Sequence, residues 1–168
     1  PPRHAFSRAA AFLGPFTLAA LEGAGLGQAD HLDELLDAGL VQPTDMPRTF
    51  RLLGPVRAYA RELHPDPVAD ARAAAWILDD AETRSAAADP DWWSAWRLQL
   101  ESAVQGGGLA GARAAVSLAR REAQCGPVGL QTERVRRLGP LDGFPADLQA
   151  LLHRSIAVEG LVRNDFEQ

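Results

Sequence analysis

The sequence predicts a mainly α-helical protein with one small β-hairpin, and three observations carry that expectation. Most apolar residues recur three or four apart, in runs closed by Gly or Pro, as amphipathic helices require. This period breaks over residues 39–53, where two short runs of strand-type residues flank a turn. After residue 67 only the helical pattern remains.

A helix is expected over residues 2–14, because Pro2 suits an early helical position and Phe6, Ala9, Ala10 and Leu13 keep helical spacing. Gly14-Pro15 ends it. A second helix spans 17–25, with Thr17 as N-cap and Gly23 or Gly25 as stop. A third spans 29–40. There Asp30 is the expected N-cap, Glu34 lies near the capping-box position, and Leu32, Leu35, Leu36 and Leu40 form the apolar stripe. Gly39 is its breaker. "GLVQP" and "TFRLL" read as two strands around a turn containing Asp45 and Pro47. Pro55 starts a helix over 55–64, with Val56, Tyr59, Ala60 and Leu63 facing inward and Arg57, Arg61 and Glu62 facing away. Three helices, a hairpin and a helix make the element order of a winged-helix domain, placed at 1–64. "HPDP" at 64–67 marks its boundary.

Residues 65–168 read as antiparallel helical hairpins joined by Gly/Pro turns, like tetratricopeptide repeats. Helices are expected over 68–88, 89–104, 109–125, 128–138 and 146–165. Ala69, Ala73, Trp76, Ile77 and Ala81 form the buried side of the first, and Trp92, Trp96 and Leu100 that of the second. Leu148, Leu151, Leu152, Ile156 and Leu161 mark the last.

Composition narrows the function classes. No apolar run nears the roughly 20 residues that span a bilayer, and the N-terminus lacks an export signal, so no membrane role is expected. Cys125 is the only cysteine; without an export signal this points to the cytoplasm. All 17 basic residues are Arg, yet the net charge is −5, which disfavours a dedicated nucleic-acid binder. "QGGGLAG" has the glycines of a phosphate loop, but a chain without lysine cannot complete that motif, so it reads as a turn. His4, His31, His64 and His153 are scattered, and one Cys cannot build a zinc finger, so neither a metal site nor catalytic residues are expected. Cys125 reads as a half-buried thiol at a helix end. Asp79-Asp80 and Asp33-Glu34 read as solvated surface, since neighbours in a helix do not face each other. No enzyme is expected. Trp93 points away from the face of Trp92 and Trp96 and is the surface candidate for binding.

A winged helix that reads DNA places its third helix in the major groove. Here that helix carries Asp30, Asp33, Glu34 and Asp37 and no Arg, a poor match to phosphates. Arg48, Arg51, Arg57 and Arg61 lie instead on the hairpin and the helix after it, where they suit an acidic protein surface. The expected role is therefore docking, with a DNA-binding repressor carrying a helical dimerisation or ligand domain as the alternative.

The residues resemble a family. "RAAAFLGPFTLAALEGAG", "HLDELLDAGLVQP" and "FRLLGPVRAYARELH" resemble, in order and spacing, the winged-helix module of bacterial STAND-class signal-transduction ATPases, the large regulators of LuxR and SARP type. "IAVEGLVRNDFEQ" is similar to the first helix of a tetratricopeptide repeat, with Asn164-Asp165-Phe166 at the turn and a partner helix expected beyond it. The resemblance implies a non-catalytic regulatory segment of a larger transcriptional or signalling protein. Its winged helix docks on an upstream nucleotide-binding domain, its repeats recruit other proteins, and ATP binds only upstream. Where some members carry a nucleotide-sensing His-Asp pair, this chain has Leu53 and Gly54, so the resemblance carries no sensing role to this module.

Overall fold

The computed structural model describes residues 2–84, 90–125 and 129–166. The fold is mainly helical with a small three-stranded antiparallel sheet. Contacts divide it into two compact units, Pro1–Ile77 with Ser94–Gln99, and Leu78–Trp93 with Leu100–Gln168.

The first unit begins with α1 (Pro2–Ala9), β1 (Phe16–Thr17), α2 (Leu18–Gly23), α3 (Ala29–Asp37), β2 (Val41–Pro43), β3 (Thr49–Leu52) and α4 (Gly54–Leu63). The strand β1 was not expected from the sequence. It pairs with β3, setting Phe16 opposite Phe50, and β3 lies central in the order β1-β3-β2. On its other side Val41 faces Leu52 and Gln42 faces Arg51. Pro43 lacks an N–H donor and sits on the outer strand, where none is needed. Aromatic rings build the core: Phe12 stacks on Phe16 at 5.1 Å, Phe12 meets Trp96 at 5.7 Å, and Trp96 meets the edge of Trp76 at 6.1 Å. Ala20, Leu21, Leu26, Leu32, Leu35, Val41 and Leu52 close around them.

Several local signals act as expected. Thr17 Oγ1 accepts from the Ala20 N–H at 3.1 Å and caps α2. Gly39, at φ 67°, ends α3 in the left-handed conformation that glycine adopts without strain. Others differ. The helix α1 stops at Ala9, and residues 10–13 form a buried irregular segment. Asp30 is not the cap of α3; Gln28 is, and its N–H donates to His31 Nδ1 at 3.2 Å. On α4 only Ala60 is fully buried, while Tyr59 is 59 % and Leu63 50 % exposed.

Helices α5 (Pro67–Thr83) and α6 (Pro90–Gly106) supply residues to both units. The part of the first expected helix over 85–88 lies outside the described residues. The second unit continues with α7 (Gly108–Cys125), α8 (Gln131–Leu138), a 3-10 turn (Leu141–Gly143) and α9 (Ala146–Phe166). Gly107 and Gly108 both have positive φ and form the expected turn between α6 and α7. The helix α7 is central: every residue from Gly111 to Ala119 is buried except Arg113, and it packs on α8 and α9. Gly111 makes this possible, since a Cβ there would lie 2.9 Å from the Ala103 carbonyl oxygen. Leu161, expected on the buried stripe of α9, is exposed. This helix also runs through Asn164-Asp165-Phe166, where the repeat resemblance placed a turn; neither Gly nor Pro is present there to stop it.

Candidate functional site

The exposed acidic face of α3 is the feature on which the docking expectation turns. Asp30, Asp33, Glu34 and Asp37 are all exposed, and among the described residues none is paired with an arginine. Burial of Leu32 and Leu35 on the opposite face fixes this orientation.

The four arginines expected to form an interaction surface divide into two pairs. Arg48 and Arg51 are exposed on the β2–β3 hairpin. Arg48 occupies the left-handed region at φ 57°, unusual for a residue with a Cβ. Arg57 and Arg61, by contrast, are not free for a partner. Arg57 Nη1 donates to the Leu13 carbonyl. Arg61 Nη2 meets Asp70 Oδ2 at 2.7 Å, and its Nη1 reaches the Ala10 carbonyl at 3.4 Å. Gln99, buried, completes the arrangement: it accepts from the Leu13 N–H at 2.9 Å and donates to the Ala11 carbonyl at 3.2 Å. The N–H groups of residues 10–12 bond back to carbonyls of α1, and these three side chains take the Leu13 N–H and the carbonyls of Ala10, Ala11 and Leu13. Arg57 and Arg61 therefore hold the end of α1.

Burial raises the pKa of Asp70 above the ordinary aspartate value; Arg61 opposes the rise and Asp66 adds to it.

Trp93, expected to face solvent, is 4 % exposed, and its Nε1 has no hydrogen-bond partner among the described residues. It meets the edge of Trp92 at 4.9 Å. Trp92 Nε1 donates to Asp80 Oδ2 at 2.7 Å, and the Arg84 guanidinium lies 5.2 Å from the Trp92 ring centre. Asp79 and Asp80 are thus engaged rather than merely solvated, Asp79 by Arg113 at 2.7 Å and Asp80 by Arg84 at 2.7 Å. Cys125 is exposed, not half-buried, at the end of α7, beside Arg121 Nη1.

The second unit holds an ion cluster that the sequence did not reveal. Arg134, 4 % exposed, grips Glu122 with two bonds of 2.7 Å and Glu101 with bonds of 2.6 and 3.3 Å. Burial works against this charge, but the bonds from Glu122 and Glu101 outweigh it and hold the Arg134 pKa above the usual arginine value. Gln131 Nε2 also donates to Glu122. The buried Glu159 accepts from the Thr132 N–H at 2.7 Å and its hydroxyl at 3.0 Å, placing a carboxylate at the N-terminus of α8. Arg134 and its two acids lie 33 and 12 residues apart, so no local spacing signals the cluster.

Beside this cluster a groove of about 380 Å³ opens between α7 and α9. Its walls are mixed: Val116 and Ala119 on α7 and Leu151 and Val158 on α9 form an apolar strip, beside which Gln124 and Ser155 add polar groups. Arg120 and Arg154 add one cation from each helix, and Gln131 contributes from α8. Among the described residues no cluster of His, Cys, Asp or Glu is arranged to hold a metal, and no helix is long and apolar enough to cross a membrane.

Compared with known protein families, curated proteins and solved structures, the chain matches none.

Proposed function

We propose that this chain is a non-catalytic regulatory and interaction segment of a larger STAND-type signalling or transcriptional regulator of bacterial origin. In this reading the first unit is a winged-helix module that docks on a nucleotide-binding domain of the same protein. The helical unit, tetratricopeptide-like, recruits other proteins. The protein works in the cytoplasm, and ATP belongs to the upstream domain alone. The order of helices and strands from α1 to α4 supports the winged-helix reading, as do the three sequence blocks that resemble the family.

The observation that carries the docking role is the exposed, unpaired acidic face of α3. Non-specific affinity for DNA comes from cations that displace counterions from phosphates. Four outward carboxylates on the element that would enter the groove oppose that contact, whereas a basic protein surface complements them. Arg48 and Arg51 on the hairpin are the observation that favours the repressor alternative.

A gel shift with generic duplex DNA at low salt separates the two. The docking reading expects no retardation below about 10 μM protein; non-specific binders reach dissociation constants of about 1–100 μM even at physiological salt. Submicromolar, salt-sensitive binding would establish the repressor instead. A phosphate-loop motif encoded ahead of Pro1 in the same gene would further support the family reading.

A further inference from the structure

We propose that the groove between α7 and α9 binds a small organic carboxylate with an apolar body and a hydrogen-bond donor. The inference concerns a different surface from the docking face and does not depend on it.

The groove's volume, about 380 Å³, falls within the roughly 300–1,000 Å³ of small-molecule sites. Its lining follows helical spacing on both walls, so the sequence commits one face of each helix to it. Val116, Ala119 and Arg120 lie along α7, and Leu151, Arg154 and Val158 along α9. The apolar residues provide the contact area, while the arginines provide charge.

Most arginines of this unit are engaged by protein groups. Arg84, Arg113, Arg134, Arg136 and Arg137 each hold a carboxylate. Arg120 and Arg154 hold none among the described residues, and no acidic side chain lines the groove. Two guanidinium groups on facing helices, with no protein anion between them, present forked donors suited to a ligand carboxylate.

Gln131 supplies an independent observation. It is 3 % exposed and lines the groove. Its Nε2 is committed to Glu122, which fixes the amide so that Oε1 is the free end. Among the described residues that buried oxygen has no hydrogen-bond partner. An unsatisfied buried acceptor is costly, and a ligand N–H or O–H would relieve it. An apolar strip, two cations, one acceptor and the polar Gln124 and Ser155 beside them therefore define the ligand class: an acid with a short hydrophobic body and further polar groups, as in an N-acylated amino acid.

The test uses N-acetyl-leucine as probe, its neutral carboxamide and inorganic phosphate as controls, and backbone amide NMR shifts on the full chain. The expected result is saturable shifts confined to α7, α8 and α9 with a dissociation constant of about 1 mM or tighter. The carboxamide and phosphate should each bind at least about tenfold more weakly. An Arg120→Gln/Arg154→Gln variant should lose at least about tenfold in affinity with its remaining spectrum unchanged, since both side chains are exposed. Absence of groove shifts up to about 10 mM probe would overturn the proposal. So would equal binding of the carboxamide, equal binding of phosphate, or undiminished binding by the double variant.

Discussion

Arg57 shows how a surface-type residue can become structural. Its sequence position faces away from the apolar residues of α4, yet its guanidinium holds the Leu13 carbonyl at the end of an irregular segment. Arg57→Ala is therefore expected to cost about 1.5–3 kcal/mol in urea unfolding, the net worth of a hydrogen bond from a charged donor to this half-buried carbonyl. Tyr59→Ala, two residues along, should stay within about 0.5–1 kcal/mol, because the ring is 59 % exposed and leaves no cavity. The reverse ranking would show that α4 packs through its tyrosine. Asp70 offers a pH test. Its folded pKa is raised, so the native state holds the proton more tightly than the unfolded chain. Its contribution to stability is full below the ordinary aspartate pKa of about 3.9 and declines as pH rises through the higher folded value. Asp70→Asn removes that titration. The stability of the variant relative to the parent should therefore increase between acidic and neutral pH, which paired denaturation curves at several pH values would show. A constant difference would place Asp70 in an environment no less polar than water.

At the scale of elements, the cluster joining α6, α7 and α8 carries the clearest energetic expectation. Arg134→Met would leave Glu122, itself 7 % exposed, with no cation, at a cost of about 3–5 kcal/mol. Adding Glu122→Met should recover most of that loss, because well-packed apolar side chains replace a buried ion pair at little cost. Urea midpoints of the single and double variants test this; an equally unstable double variant would mean that Glu101 and Gln131 need the arginine too. The same elements show what was legible in the sequence. Helices α6, α7 and α9 lie within two residues of their expected limits because Gly and Pro punctuate long periodic runs, as Gly107 and Gly108 do between α6 and α7, whereas α8 begins only at Gln131. The strand β1 has two residues, too few to display a period, and depends on β3 more than 30 positions away. The face of α4 was misread for a related reason. Spacing identifies which side chains share a face, but not how much of that face its neighbours cover, and on α4 only Ala60 is fully covered.

For the whole molecule, electrostatics and non-local contacts decide what can bind. The net charge of −5 and the acidic face of α3 act together, so neutralising Asp30, Asp33, Glu34 and Asp37 to their amides should raise low-salt affinity for generic DNA. A gel shift comparing this variant with the parent measures the change; no gain would mean that shape, and not charge, keeps the module off a duplex. The acidic face was legible because four carboxylates on one short helix, opposite two buried leucines, leave little choice of orientation. The groove between α7 and α9 was not legible, since Arg120, Gln131 and Arg154 meet only after three helices fold together. Trp93 was misassigned on the same ground: helical phase separates it from Trp92 and Trp96, but α6 has neighbours on more than one side. The position of α7, covered on almost every side, also has a kinetic consequence. A peptide proton in the middle of such a helix meets solvent only when the surrounding helices part. In deuterium oxide the amides from Gly111 to Ala119 should be the last of their unit to exchange, and their rate should track its cooperative opening.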